Sequence, residues 1–217
     1  LKDGHDVEGG AFVAMDVKTG QILACGSYPT YDLSTFFDDY SELSKDELKP
    51  LYNRALLATY PPGSTYKMSM VVAAMESKLI DAKTTYRDRG VFDKIEGWTV
   101  ECLVWTNYGQ THGTINAAQA LQMSCNYFFY EIGSRISVDD MDRTAKGLGL
   151  GERTGVELPE YIGHRANRES KAALHVGDDK QWYTGDSILA AIGQSENRFT
   201  PMQLAVYAST LANQGKR

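Results

Sequence analysis

The stretch Pro61-Pro62-Gly63-Ser64-Thr65-Tyr66-Lys67-Met68 constrains this chain more than any other. Two prolines and a glycine cannot continue a helix, so they form a rigid, turned lead-in. Beyond them Met68, Val71, Val72, Met75 and Leu79 recur at the spacing of one helical face, which predicts a helix with Ser64 in its first turn. Residues three apart on a helix share a face, so Ser64 Oγ and the Lys67 amine can meet. A serine hydroxyl becomes a useful nucleophile when a neighbouring base takes its proton. Lysine is such a base only when neutral, so its pKa must fall from about 10.4 towards roughly 7–8 by burial or a cationic neighbour. The apolar helix offers burial, and its positive N-terminal end disfavours a second positive charge. Ser-x-x-Lys alone is common, and an ordinary helix start with a solvated lysine also produces it.

Size and charge narrow the class. With 217 residues, 42% of them apolar and 23% charged, the chain suits one globular domain with room for a small subdomain. A formal charge of −6 argues against a nucleic-acid binder, which carries a basic stripe. No apolar run approaches the ~20 residues of a membrane span, and no signal peptide opens the chain. Cys25, Cys102 and Cys125 are too few and too scattered for a disulfide framework or a zinc site. His5, His112, His164 and His175 show no metal-ligand spacing, so we expect no cofactor and no metal, and nothing singles out a Ser–His–Asp triad.

Residues 11–16 and 21–27 are short apolar runs around Val17-Lys18-Thr19-Gly20, which predicts a β-hairpin. Residues 28–49 read as a solvated acidic loop with a short helix, and 50–58 as a helix opened by Pro50. Residues 81–113 are mixed and punctuated by glycine; Trp98 and Trp105 there either pack or wall a cleft. Thr114 is expected to cap a helix through Leu121, which breaks near Met123-Ser124-Cys125-Asn126 before a second helix from Tyr127. Ser137 caps a helix over about 138–147; Gly147-Leu148-Gly149-Leu150-Gly151 is a helix end rather than a phosphate loop, since no strand precedes it. Residues 152–185 are loop-rich, and helices resume at about 186–192 and from Thr200-Pro201 to Asn213.

Ser124-Cys125-Asn126 is the companion to Ser64 and Lys67. Side chains two apart diverge on a helix, so a joint role requires a loop, and the helix break provides one. A serine there can relay a proton, and an asparagine amide, donor and acceptor at once, can orient a peptide bond. The two motifs in this order resemble the transpeptidase domain of penicillin-binding proteins. The class B (monofunctional, high-molecular-mass) branch is suggested by Asn53-Arg54-Ala55, Gly113-Thr114-Ile115, Gly149-Leu150-Gly151 and Thr154-Gly155-Val156-Glu157-Leu158-Pro159. Ile192-Gly193-Gln194, Thr200-Pro201-Met202-Gln203-Leu204-Ala205 and Leu211-Ala212-Asn213-Gln214-Gly215 continue the pattern, so the resemblance spans about 9–217.

The resemblance implies an α+β fold of the penicillin-binding-protein and serine β-lactamase type. It would comprise one partial transpeptidase domain over 1–217, with a hairpin at about 11–27 and a helical subdomain at about 64–150. It implies a serine-type D-Ala-D-Ala transpeptidase that cross-links peptidoglycan stem peptides and is acylated by β-lactams. Ser64 would be the nucleophile, Lys67 the base, Ser124 the proton relay and Asn126 the substrate-amide ligand, with the Ser64 N–H as one oxyanion donor. The family's third motif, Lys-Thr/Ser-Gly on a sheet-edge strand, is expected beyond Gly215. Lys18-Thr19-Gly20 matches its letters only, because it lies in a turn long before Ser64. The chain is therefore expected to be a segment of a longer protein, impaired by loss of that motif and mostly helical for want of the later strands. That protein would sit at the extracytoplasmic face of the bacterial membrane, anchored by an N-terminal helix, with division, elongation or sporulation proteins as partners; the segment itself would be soluble. Two other readings remain. A class D-like β-lactamase or β-lactam sensor would carry Ser-x-Val where this chain has Ser124-Cys125-Asn126, and a non-catalytic scaffold would not need all four polar residues intact.

Overall fold

The computed structural model describes residues 8–217, so His5 lies outside the described residues. In chain order the elements are strands β1 (Gly10–Met15) and β2 (Ile22–Tyr28), helices α1 (Phe36–Leu43) and α2 (Arg54–Leu57), a 3-10 turn (Gly63–Tyr66) and α3 (Lys67–Glu76). Next come β3 (Thr85–Arg87), β4 (Val91–Ile95), β5 (Trp98–Glu101), α4 (Leu103–Tyr108), β6 (Thr114–Asn116), α5 (Ala117–Gln122), α6 (Asn126–Gly133) and α7 (Val138–Gly147). The chain closes with α8 (Arg168–Leu174), α9 (Thr184–Ala190) and α10 (Pro201–Ala212). The fold is α+β, with three two-stranded antiparallel sheets, β1-β2, β3-β6 and β4-β5, among the described residues.

Two compact units emerge. The first collects the chain up to Tyr60, then Leu148–Gly163 and Arg198–Arg217. Its β1-β2 hairpin turns on Asp16, whose Oδ1 accepts from the Lys18 and Thr19 amides at 2.9 and 2.8 Å, so Lys18-Thr19-Gly20 is the hairpin turn. Helix α10 starts where Thr200-Pro201 predicts it, with Thr200 Oγ1 accepting from Gln203 N at 3.2 Å. Gln203 is fully buried, and its Nε2 donates to Glu152 O at 2.8 Å and Ile162 O at 2.9 Å. Gln203→Ala would leave two carbonyls without that donor, and it is expected to lower unfolding free energy by about 1–3 kcal/mol, read by chemical denaturation.

The second unit, Pro61–Gly147 with His164–Asn197, is built on α6, all eight of whose residues are buried. Its aromatic and aliphatic side chains fill the core, and its buried Glu131 is paired with Lys94 and Arg135. Phe92 packs edge-on against Tyr127 and Tyr130, and Tyr86 lies 5.1 Å from Phe128 between ring centroids. Gly133 lets α9 press close, since a Cβ there would lie 2.8 Å from Ser187 O and 2.9 Å from Ile188 Cα. Helix α3 touches α7, where Thr144 Oγ1 donates to Glu76 Oε2 at 2.9 Å.

Several local expectations are corrected. The helix expected over 50–58 shrinks to α2, because Asn53 caps it by accepting from Ala55 N at 3.1 Å, and Lys49, at φ 49, turns the chain just before. Thr114 is not a cap; it pairs with Arg87 in the β3-β6 ladder, and Asn116 forms the capping box with Gln119. Helix α8, capped by Asn167, lies within the stretch read as loop-rich.

Candidate active site

Pro62 leads into a 3-10 turn, and Lys67 opens α3 directly behind it, so Ser64 and Lys67 are three apart across a tightly wound start. In 3-10 geometry residues i and i+3 eclipse, which sharpens the shared face expected of an α-helix. The tight turn leaves Ser64 exposed while Lys67 is 1% exposed.

The other half of the site is the break between α5 and α6. Ser124 adopts φ 51, a left-handed conformation that L residues rarely hold and that recurs at functional sites. That turn lets Ser124 and Asn126 converge although they are only two apart. Ser124 Oγ donates to Ser64 Oγ at 2.9 Å. Lys67 Nζ donates to Ser124 Oγ at 3.1 Å, to Ser124 O at 2.9 Å and to Asn126 Oδ1 at 2.6 Å. All four expected side chains therefore meet, but Lys67 reaches Ser64 through Ser124 rather than by the direct contact that spacing suggests.

The electrostatics suit proton transfer. Burial pulls the Lys67 amine down to about 8, while nearby Cys125 and Cys102, when ionised, push the other way. The Phe129 ring lies 5.3 Å from Nζ, a cation–π contact that softens the loss of water around the ammonium. Three acceptors around Nζ match the ammonium form. Once neutral, the amine has a lone pair for the Ser124 hydroxyl, whose proton can rotate; Ser124 Oγ can then accept the proton of Ser64. Trp105 packs over Gly90, where a Cβ would lie 2.3 Å from the indole, so its first role is packing. His112 bonds Asp88 and His175 bonds Glu196.

The sequence also matches the family described as penicillin binding protein transpeptidase domain, over residues 10–217.

The chain belongs to the penicillin-binding protein transpeptidase family.

Peptidoglycan D,D-transpeptidase MrdA of Acinetobacter baumannii is 35% identical over 212 residues, which cover 95% of this chain and 31% of the relative. The chain thus spans about a third of the length of the curated relatives it matches. Penicillin-binding protein PBP2 of Helicobacter pylori superposes with a TM-score of 0.85 at 32% identity, over 94% of this chain and 39% of that one. The same protein in complex with MreC gives 0.84 at 31% identity, over 95% and 38%. The penicillin G acyl-enzyme of penicillin-binding protein A from M. tuberculosis gives 0.77 at 25% identity, over 94% and 46%. The class B branch resemblance is thereby supported, in its MrdA-like and PBP2-like form.

A second cluster in this transpeptidase chain escaped the sequence reading. Asp88 after β3, Cys102 before α4, His112 before β6 and Cys125 before α6 place one donor atom each within 4.8 Å of all the others. His112 Nδ1 lies 2.8 Å from Asp88 Oδ2 and 3.7 Å from Cys102 Sγ. Cys125 Sγ lies 3.6 Å from Asp88 Oδ2 and 4.0 Å from Cys102 Sγ. Ligand atoms around a tetrahedral zinc ion stand roughly 3.3–3.8 Å apart, so small adjustments bring these four onto one ion. Two thiols, an imidazole and a carboxylate favour zinc over calcium or magnesium. These four residues are scattered along the sequence, and the fold collects them. Cys125 also stands between Ser124 and Asn126, so an ion held here would anchor the turn that carries both side chains.

Proposed function

We propose that this chain is the nucleophile-bearing part of a serine D,D-transpeptidase that cross-links peptidoglycan stem peptides and is acylated by β-lactams. The observation that carries the reading is the chain of hydrogen bonds from Lys67 Nζ through Ser124 Oγ to Ser64 Oγ, with burial lowering the lysine amine to about 8. Ser64 Oγ attacks the carbonyl carbon of the penultimate D-alanine, and its proton passes through Ser124 to Lys67. The tetrahedral intermediate collapses as the C–N bond breaks, and the departing D-alanine nitrogen takes the proton back by way of Ser124. An amine of a second stem peptide then attacks the ester and regenerates Ser64. Asn126 holds the substrate amide, and the Ser64 N–H, within the 3-10 turn, serves as one donor to the developing oxyanion in this reading. The names of the relatives and the acyl-enzyme of the mycobacterial neighbour support this chemistry.

The same reading includes one transpeptidase domain over 1–217, with its hairpin at about 11–27 and a helical subdomain at about 64–150. It places the parent protein at the outer face of the bacterial membrane, where the cell wall is built. Among the described residues no helix is long and apolar enough to cross a membrane. The complex of the H. pylori neighbour with MreC, and a further neighbour from a peptidoglycan synthase complex, support a protein partner.

Intact-mass spectrometry after incubation with a penicillin tests the proposal. The wild-type chain is expected to gain the mass of one penicillin, and Ser64→Ala to gain nothing. An adduct that persists in Ser64→Ala would remove Ser64 as nucleophile, and a wild-type chain that stays unmodified would overturn the acyl-enzyme reading.

A further inference from the structure

We propose that Gly193 is a positioning residue for Ser64, because its backbone holds the turn carrying the nucleophile and leaves no room for a side chain. This inference rests on the acyl-enzyme reading above. The Gly63 N–H donates to Gly193 O at 3.0 Å, one residue before Ser64. Gly193 sits at φ +74, and a Cβ on it would stand 2.1 Å from Gly63 O, 2.7 Å from Gly63 N and 2.8 Å from Gly63 C. These are backbone atoms, so relief means moving the peptide rather than swinging a side chain aside. Pro61 and Pro62 stiffen the chain on the approach, which leaves little slack there. A side chain at 193 therefore displaces residue 63, and with it the Ser64 hydroxyl, which must stay 2.9 Å from Ser124 Oγ.

The turn around Gly193 is braced to bear this load. Gly193 N donates to Ala190 O at 2.9 Å, and Gln194 N to Leu189 O at 3.1 Å. Asn197 is fully buried inside the turn. Its Nδ2 donates to Ala190 O at 3.3 Å and Gln194 O at 3.2 Å, and its Oδ1 accepts from Ala166 N at 3.0 Å. The turn follows α9, which packs against α6 at Gly133, and α6 begins with Asn126. One packed helix pair thus references both Ser64 and Asn126 to a common frame.

The test compares Gly193→Ala with Gly163→Ala. Gly163 is an equally tight glycine in the other unit, at φ +61 with a Cβ site 2.0 Å from Arg198 O, so its substitution reports general destabilisation. Penicillin acylation is resolved into the affinity of the non-covalent complex and the acylation rate constant, each referred to the folded fraction. Hydrogen exchange at the Gly63 amide is followed by NMR. Gly193→Ala is expected to cut the rate constant about a hundredfold with affinity little changed, as for a misplacement near 1 Å, and to expose the Gly63 amide to exchange. Gly163→Ala is expected to lower the melting temperature and keep the rate constant. Equal rate constants in the two variants, or a wild-type rate in Gly193→Ala, would overturn the proposal. Should Gly193→Ala fail to fold, Asn197→Asp keeps the acceptor for Ala166 N while removing both donors; an unchanged rate constant there overturns it as well. If penicillin leaves the wild type unlabelled, the acyl-enzyme reading fails and amide exchange alone decides: a Gly63 N–H unprotected in the wild type would sink the positioning role.

Discussion

Lys67→Ala is expected to slow penicillin acylation about 10²–10⁴-fold, the range for loss of a general base. The size of the effect follows from how the amine is placed. Lys67 is 1% exposed and its Nζ touches Ser124 Oγ, Ser124 O and Asn126 Oδ1, so its removal takes away the proton acceptor and loosens the turn that holds the relay. Burial lowers this amine to about 8, and only its neutral form accepts a proton. Acylation in the wild type should therefore rise with pH, be half-maximal near 8 and fade below it as Lys67 becomes protonated. Lys67→Arg should not restore the rate, since a guanidinium stays charged throughout. Stability shares the sign. Between about 8 and the ordinary lysine value of 10.5 the unfolded chain binds the extra proton, so unfolding free energy rises with pH in that window. A time course of adduct mass from pH 6 to pH 10 reads the first result. A flat profile, or an active Lys67→Arg, would remove Lys67 from the role of base.

The second large effect concerns the cluster of Asp88, Cys102, His112 and Cys125. Elemental analysis is expected to find zinc bound to the chain, and a strong chelator to lower its melting temperature. Metal ligation that exists only in the folded state adds its binding free energy to stability; isolated zinc fingers gain about 10–16 kcal/mol this way, and a domain with its own core has less need of it. Cys125→Ser should abolish stoichiometric zinc and also slow acylation, because an ion held by Cys125 would anchor the backbone between Ser124 and Asn126. Cys102→Ser should weaken zinc binding with a smaller effect on acylation, since Cys102 opens α4 and lies further along the chain from the catalytic turn. Metal-free protein with an unchanged melting temperature in chelator would show that the four donors are only a buried polar cluster.

Both effects depend on contacts between distant parts of the chain, and the sequence conveys such contacts unevenly. The turn at Pro61-Pro62-Gly63 was legible because proline geometry acts over a few residues, and a helix does follow it. Its buried face, however, is Met70, Ala73 and Ala74 rather than that of Met68 and Met75, each 39% exposed, because burying Lys67 turns the side of Met70 and Ala74 inward. The start of α10 at Thr200-Pro201 and the extent of α7 were legible for the same reason: caps and first-turn prolines are local chemistry. Where a local signal had a rival, it misled. Pro50 suggested a helix start that Asn53 takes instead, and Thr114 offered a hydroxyl cap but lies in a strand, where pairing with Arg87 outweighs capping.

By itself, then, the sequence determined the β1-β2 hairpin, the helices α7 and α10, the nucleophile candidate on its rigid turn and the membership of a transpeptidase family. The tertiary structure alone decided that Lys67 Nζ reaches Ser64 Oγ by way of Ser124 Oγ, that Asp88, Cys102, His112 and Cys125 share one small volume, and that Gly193 backs the Ser64 turn. The reason is physical. Propensity, capping and periodicity arise from neighbours within one or two turns. The distances that set a relay, a ligand shell or a close backbone contact arise only when α6 is buried and its partners are packed around it.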